Sequence, residues 1–355
     1  MLVYRTAMPK VYVGLSGGVD SAVSAALLKE RGYYVTGVFI KIWQPEFIEC
    51  TWREDRLDAM RVAAHLEIPF REIDLSAEYK KDVVSAMISD YESGITPNPD
   101  VLCNTRIKFG AFFDWAMQEG ADLVATGHYA RTKEGKLYRG ADSQKDQSYF
   151  LHGIGKFQLQ KTLFPVGEFT KPEIRALARR FALPNSEKPD SQGLCFVGDV
   201  SMKDFLKRFI SLTSGVVLDE RGKSVGTHEG AALYTIGQRH GFKVIDDNST
   251  ETHYVTAIDC LANTITVSAR REDAARNHIS IKKMHWVHAE PRLQGPFLVQ
   301  TRYREAPTMG RVQKGSDVYD VALQKPVVYS KGQSLVLYRD DECLGGGVIA
   351  ASHSR

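Results

Sequence analysis

Apolar residues run through VYVGLS (Val11–Ser16), then recur at three- and four-residue steps from Ser21 to Arg31, where Gly32 closes the turn. A second apolar run, YYVTGVFIKIW, follows at once. Short apolar runs bounded by turn residues fit strands buried on both faces, and the intervening spacing fits an amphipathic helix. The alternation continues. REDRLDAMRVAAHLE has helical spacing and ends before Pro69, FREIDLS is extended, and AEYKKDVVSAMISDYES is helical again. After a proline-rich break come a helix around KFGAFFDWAMQEG and the strand ADLVATG. Strand and helix in this order predict an α/β fold, a parallel sheet with helices on both faces.

FTKPEIRALARRF then announces a helix start, with Thr170 and Glu173 spaced as a capping box and Pro172 in the first turn. The last helix is expected at SMKDFLKRFI. Beyond Gly215 the pattern changes to short alternating runs: GVVLDERGKSVG, HYVTAIDCLANTITVS, PFLVQTRYR, DVYDVAL, PVVYS and SLVLYRDDECLGGGVIA. These predict one or two small all-β modules after the α/β unit.

Composition narrows the class without choosing a function. The 355 residues are 43% hydrophobic and 25% charged, as in ordinary globular chains with room for two or three cores. No apolar run reaches the roughly 20 residues of a membrane span. MLVYRTAMPK has neither the apolar core nor the cleavage site of a signal peptide, so a cytoplasmic setting without membrane partners is expected. A net charge of +3 does not announce nucleic acid. Its distribution is more suggestive: Lys282, Lys283, Arg292, Arg302, Arg304, Arg311 and Lys314 face only Glu290 and Glu305 between Ile281 and Gly315. The five cysteines, at 50, 103, 195, 260 and 343, include no C-x-x-C pair and no even set for a disulfide framework. No protein metal site is expected, and a cysteine with a role here is a reactive one.

The stretch GLSGGVDS joins the first strand to the first helix. Gly14, Gly17 and Gly18 let backbone N–H groups approach an anion, Ser16 and Ser21 add hydroxyls, and the helix directs its positive end to the same point. It lacks the lysine of a G-x-x-x-x-G-K-[ST] loop and the spacing of G-x-G-x-x-G. A lysine serves a transferring γ-phosphate and is less needed where attack falls on the α-phosphorus and pyrophosphate departs whole. S-G-G-x-D-S resembles the signature of the PP-loop ATP pyrophosphatases, which implies that Gly14, Leu15, Ser16, Gly17, Gly18, Val19, Asp20 and Ser21 bind ATP. An acid at Asp20 is odd unless a cation shares the site, which predicts Mg²⁺ bridging the ATP phosphates.

GITPNPDVLCNTRIKFG carries the second concentration of chemistry. Pro97 and Pro99 stiffen the turn, and Asp100 precedes Cys103 by one helical turn if the chain coils there. A carboxylate beside a thiol disfavours the thiolate, so Asp100 makes better sense as a proton acceptor or donor, with Arg106 and Lys108 supplying a cationic field. Cys195 sits in the polar, turn-rich SEKPDSQGLCFVGD. Cys50, Cys260 and Cys343 read as small buried hydrophobes.

Taken in order, GLSGGVDSAVSA, TPNPDVLCNTRIKF, ATGHYA, KDQSYFL, FTKPEIRALA, DSQGLCFVGD and YTIGQRHG resemble the tRNA-specific 2-thiouridylase family over almost the whole chain. The resemblance implies a PP-loop domain over residues 1–212, a small central β domain over 213–277 and a C-terminal β-barrel over 278–355. It implies that ATP adenylates O2 of the wobble uridine, and that a carrier protein delivers persulfide sulfur to Cys195. Cys103 matches the nucleophile, able to form a disulfide with Cys195 afterwards, and Asp100 matches the acid/base residue. Ile40 and Gly127 match nucleotide contacts. Asn98, Pro99 and Asp100 match the segment facing the target base, and His128 matches a neighbouring tRNA contact. Lys145, Asp146 and Gln147 match a tRNA-contacting turn, and Arg302 and Tyr303 in the β-barrel and Gln333 beside it match further tRNA contacts. Ile42 departs from the family, where asparagine is more usual. An ammonia-using PP-loop synthetase would leave both loop cysteines idle, and a cluster-dependent thiolase needs closely spaced cysteines that this chain lacks.

Overall fold

The computed structural model describes residues 8–47, 52–190, 201–245 and 252–350. Its first unit is built on β1 (Lys10–Gly14), β2 (Tyr34–Lys41), β3 (Phe70–Asp74), β4 (Leu123–Ala125) and β7 (Thr162–Leu163). These pair in parallel in the order β3-β2-β1-β4-β7. Val11 and Val13 of β1 are fully buried between helices on the two faces. One face carries α1 (Val19–Glu30) with the helices Trp52–His65 and Lys171–Arg180, the other the helical stretches from Ser76 to Glu92 and from Pro99 to Gln118. The strand order reverses between β1 and β4, and such a switch point leaves a crevice at the carboxyl ends of the strands. The loops that open it are Leu15–Gly18, after β1, and Thr126–His128, after β4.

The expected alternation of strand and helix is present, and two departures have clear causes. The helix expected around KFGAFFDWAMQEG starts earlier, at Pro99, because Asn98 caps it and Pro99 takes its first turn. DVYDVAL and PVVYS form a single strand, β16 (Tyr319–Val328), whose residues pair with both neighbours.

A hairpin of β5 (Ala130–Lys133) and β6 (Lys136–Arg139) leaves the parallel sheet directly after the crevice. The central unit is a sheet of β8 (Gly215–Leu218), β9 (Ser224–His228), β10 (Lys243–Val244), β11 (Tyr254–Asp259) and β12 (Thr264–Ser268). The last unit is an antiparallel β-barrel of β13 (Ala275–Trp286), β14 (Phe297–Gln300), β15 (Thr308–Lys314), β16, β17 (Ser334–Arg339) and β18 (Glu342–Ile349). It closes where β13 pairs with β18. Ile279 and Ile281, Val321 and Leu323, and Leu335 and Leu337 fill it at every second position. β6 extends the β-barrel's sheet at β18, where Leu137 pairs with Cys343 and Tyr138 with Glu342. The β-barrel is thereby joined to the crevice-bearing domain by backbone pairing.

Candidate functional site

At the crevice, Gly17 takes a φ of +77°, and a Cβ there would lie 2.4 Å from the Asp55 carbonyl oxygen. Only glycine fits. Gly18 caps α1 in extended conformation and contributes no side chain to its first N–H groups, which stay open to an anion. The loop is braced from within, Ser21 Oγ donating to the Gly18 carbonyl at 3.0 Å and lying 3.2 Å from the Ser16 backbone N. It is braced from outside by Asn185, whose Nδ2 donates to the Gly17 carbonyl at 2.8 Å. Leu15 and Val19 anchor the loop in the core, while Ser16 is exposed at its tip.

Ile40 and Gly127 stand on either side. Ile40 Cδ1 lies 3.6 Å from the position a Cβ of Gly14 would take. A Cβ at Gly127 would come within 2.7 Å of Ser21 N and 2.8 Å of the Asp20 carbonyl carbon. The loop after β4 therefore rests directly on the first turn of α1, so the nucleotide residues expected from the sequence converge on one crevice.

Asp20 has its own cation. Its Oδ1 accepts from Lys171 Nζ at 2.7 Å and from the Tyr129 hydroxyl at 2.8 Å. Burial, followed by the Asp20 charge, pushes the Tyr129 phenol far above its ordinary value and keeps it a donor. Lys171 also reaches Asp190 Oδ1 at 2.8 Å. Sequence reasoning missed Lys171, because FTKPEIR reads fully as a capped helix start.

Asn98 Oδ1 accepts from Val101 N at 3.4 Å, and the helix then runs on through Cys103, so Asp100 and Cys103 do stand one turn apart. Cys103 is 5% exposed. Burial raises the Asp100 carboxyl above its ordinary value, and the nearby Lys108 charge partly offsets the shift. Lys108 Nζ also lies 3.4 Å from His128 Nε2, whereas Arg106 is exposed. Contacts thus lead from the phosphate loop through Gly127, His128 and Lys108 to the helix bearing Asp100 and Cys103. Gln333 holds the preceding turn from the β-barrel, its Nε2 donating to the carbonyls of Thr96 at 3.1 Å and Pro97 at 2.7 Å. Cys195, like Cys50, lies outside the described residues.

A crevice of this form, beside a buried cysteine one turn from a carboxyl of raised pKa, suits activation of a substrate by nucleotide and attack by a thiol. Residues 9–199 match the family model described as the tRNA methyl transferase HUP domain. Residues 203–269 and 276–349 match the tRNA methyl transferase PRC-barrel and the aminomethyltransferase beta-barrel domains. The tRNA-specific 2-thiouridylase MnmA of Janthinobacterium sp. (strain Marseille) is 41% identical over 368 residues, covering 98% of this chain and 99% of the relative. The protein of the same name from Paraburkholderia phytofirmans is 42% identical over 359 residues, covering 96% and 93%. The chain belongs to the tRNA-specific 2-thiouridylase family. A U34-tRNA thiolase, NcsA from Methanococcus maripaludis, overlaps more loosely, at 18% identity and TM-score 0.36 over 56% of this chain and 63% of its own.

Within this 2-thiouridylase-family fold, the positions expected to touch tRNA have unequal settings. His128 is buried, with Nδ1 2.8 Å from Thr126 Oγ1 and its ring centroid 5.9 Å from that of Phe109 and 6.0 Å from that of Phe164. Burial, then the Lys108 charge, lowers its pKa well below the ordinary value, so it is neutral. Asp146 is also buried: it accepts from Gly140 N, Ser148 N and Ser148 Oγ, each at 3.0 Å, and pairs with Arg139 at 3.2 Å. Asp146 shapes the turn that presents its neighbours, Lys145 and Gln147. Lys145 pairs with Asp190 at 2.8 Å, and Gln147 Oε1 accepts from Tyr129 N at 2.9 Å. In the β-barrel, the Tyr303 and Phe150 ring centroids lie 4.5 Å apart. Arg302, half-buried, donates to the Ile236 carbonyl of the central unit, while Glu305 pairs with Arg271 at 2.8 Å. Glu305, the acid nearest to Arg302 in sequence, is thus engaged by another arginine.

Proposed function

We propose that this protein uses ATP to replace O2 of the wobble uridine of tRNA by sulfur. The observation that carries the reading is the chain of contacts from the first turn of α1 through Gly127, His128 and Lys108 to the helix that bears Asp100 and Cys103. Gly14 to Ser21, Ile40 and Gly127 bind ATP so that uridine O2 attacks the α-phosphorus and pyrophosphate leaves. Asn98, Pro99 and Asp100 receive the base, which must leave its stack to reach the nucleotide; an anticodon loop allows this because its bases are already accessible.

A carrier protein loads a sulfane sulfur onto Cys195. Its terminal sulfur attacks C2 of the adenylated base, and AMP departs with the original oxygen. The Cys103 thiolate then attacks the Cys195 sulfur, which frees the 2-thiouridine and leaves a Cys103–Cys195 disulfide. A thiol reductant resets the pair. Asp100, held protonated more readily than a surface carboxyl, exchanges a proton with Cys103 or the base.

Mg²⁺ accompanies the ATP phosphates. Asp20, the loop carboxylate, already accepts two donors, and no group of three or more metal-binding side chains occurs among the described residues. These residues suit an ion carried by the nucleotide rather than a caged one. Residues 1–212, 213–277 and 278–355 divide the labour as ATP-binding unit, connector and tRNA-gripping β-barrel. His128, Lys145, Asp146, Gln147, Arg302, Tyr303 and Gln333 contact the tRNA, His128 and Asp146 from more buried settings than the others. The setting is the cytoplasm, and no described helix is long and apolar enough to cross a membrane. The test is wobble-nucleoside mass spectrometry of tRNA from a strain lacking the gene. Loss of 2-thiouridine, restored by wild type and not by Cys103→Ser, supports the reading; undiminished 2-thiouridine overturns it.

A further inference from the structure

The phosphate loop has no lysine of its own, yet a lysine reaches it. Lys171 opens the helix Lys171–Arg180 and is unusually well placed for a residue with four rotatable carbons. Its backbone N donates to Asp142 Oδ2 at 2.9 Å, the preceding Thr170 N–H is held by the Glu173 carboxylate at 2.7 Å, and Pro172 follows. The side chain is 14% exposed, and its ammonium lies 6.0 Å from the Tyr129 ring centroid. Two carboxylates, Asp20 on the first turn of α1 and Asp190, share that ammonium at 2.7 and 2.8 Å.

Two features make this more than a staple between helices. An ammonium has three donors, and two carboxylate partners leave one direction open. Asp190 is also shared by Lys145 and Arg175, each at 2.8 Å, so three cations converge on one carboxylate. Lys145, Lys171 and Arg175 thus gather with Asp20, Asp142 and Asp190 beside a helix N-terminus, and the ammonium nearest the loop is held by carboxylates that a polyphosphate can replace.

We propose that Lys171 is the phosphate-holding lysine of this site: it is kept in reserve by Asp20 and Asp190 and turns to the outer two phosphates of ATP, the pair that leaves as pyrophosphate. The inference rests on the reading of the glycine loop as the ATP site. It assigns a role to a residue some 150 positions along the chain from that loop, Asp20 being 151 residues away.

The experiment is calorimetric titration of the full chain with ATP, inorganic pyrophosphate and AMP, for wild type, Lys171→Met and Lys171→Arg. Lys171→Met is expected to weaken ATP and pyrophosphate binding about 10- to 100-fold, the range of one charge-assisted hydrogen bond, with AMP affinity held. Lys171→Arg is expected to recover part of the loss. Equal weakening of ATP and AMP would mean that Lys171 only shapes the crevice, and it would overturn the proposal, as would no weakening. Wild type that binds neither ATP nor pyrophosphate would instead refute the loop as an ATP site and take this inference with it. Should Lys171→Met fail to fold, Asp190→Asn decides. Removing a competitor for the same ammonium leaves pyrophosphate binding as tight as wild type or tighter, and weaker binding by a folded Asp190→Asn overturns the proposal.

Discussion

Gly127→Ala tests the crevice with a single methyl. The added carbon would stand 2.7 Å from Ser21 N, 2.8 Å from the Asp20 carbonyl carbon and 3.0 Å from Ser21 Cα, all of it backbone of the first turn of α1. Ordinary contact begins at 3.4 Å, so helix and loop must part by about 0.7 Å. Backbone inside a capped helix cannot rotate out of the way as a side chain can, and overpacking of this kind costs about 1–3 kcal/mol. If the whole strain falls on the nucleotide-competent arrangement, ATP affinity drops between about fivefold and 150-fold. Gly14→Ala is the contrast. Its Cβ would meet nothing nearer than Ile40 Cδ1 at 3.6 Å, so its stability should stay near wild type. Urea denaturation gives the stability change through the midpoint at constant slope, and calorimetry gives the ATP affinity. A Gly127→Ala protein with wild-type midpoint and wild-type ATP affinity would refute the close approach of the two loops.

Three further outcomes are expected. Burial raises the Asp100 pKa in the folded chain, so its ionisation opposes folding. Stability relative to Asp100→Asn should be flat below the ordinary carboxyl value of 3.8 and fall as pH rises through the raised value, as denaturation across a pH series would register. Cys103→Ser should abolish thiolation while tRNA-dependent pyrophosphate release falls far less, because the phosphate loop is untouched; full thiolation with a persulfide donor would rule out the two-cysteine scheme. Arg302→Ala should lower tRNA affinity and flatten its salt dependence by about 0.7–0.9 per lost phosphate contact, with ATP binding unchanged. A loss of stability of about 1.5–3 kcal/mol with an unchanged salt slope would instead confine Arg302 to its bond with the Ile236 carbonyl.

The parts of this protein legible in its sequence are those whose physics is local. Buried parallel strands must be apolar throughout, so β1 and β2 stand out as runs, and the Thr170–Glu173 cap is visible as a spacing. The glycine loop is legible because Gly17 needs a positive φ and closeness to Asp55 that no other residue tolerates. The hairpin of β5 and β6 was not foreseen: it turns at Glu134 and Gly135, both with positive φ, between strands of four residues each. Its pairing with β18 depends on residues two hundred positions away, which no local pattern records. The burial of His128 and Asp146 is illegible for a related reason. Both are polar types that usually face water, and here partners brought in by the fold satisfy them below the surface. Lys171 and Arg302 show the converse: the sequence places one in a capped helix start and the other in a basic run, and the fold turns them toward Asp20 and the Ile236 carbonyl.

The central claim is that one adenylation is spent for each sulfur inserted at the wobble uridine. The direct measurement combines the purified chain, an unmodified tRNA transcript, ATP and a persulfide donor. Pyrophosphate, AMP and nucleosides are then quantified from the same tube by mass spectrometry. The account predicts 2-thiouridine at the wobble position only, one pyrophosphate and one AMP for each, and neither product of ATP without tRNA. Sulfur insertion without ATP, ATP cleavage to ADP, or a methylated base in place of a thiolated one would contradict it.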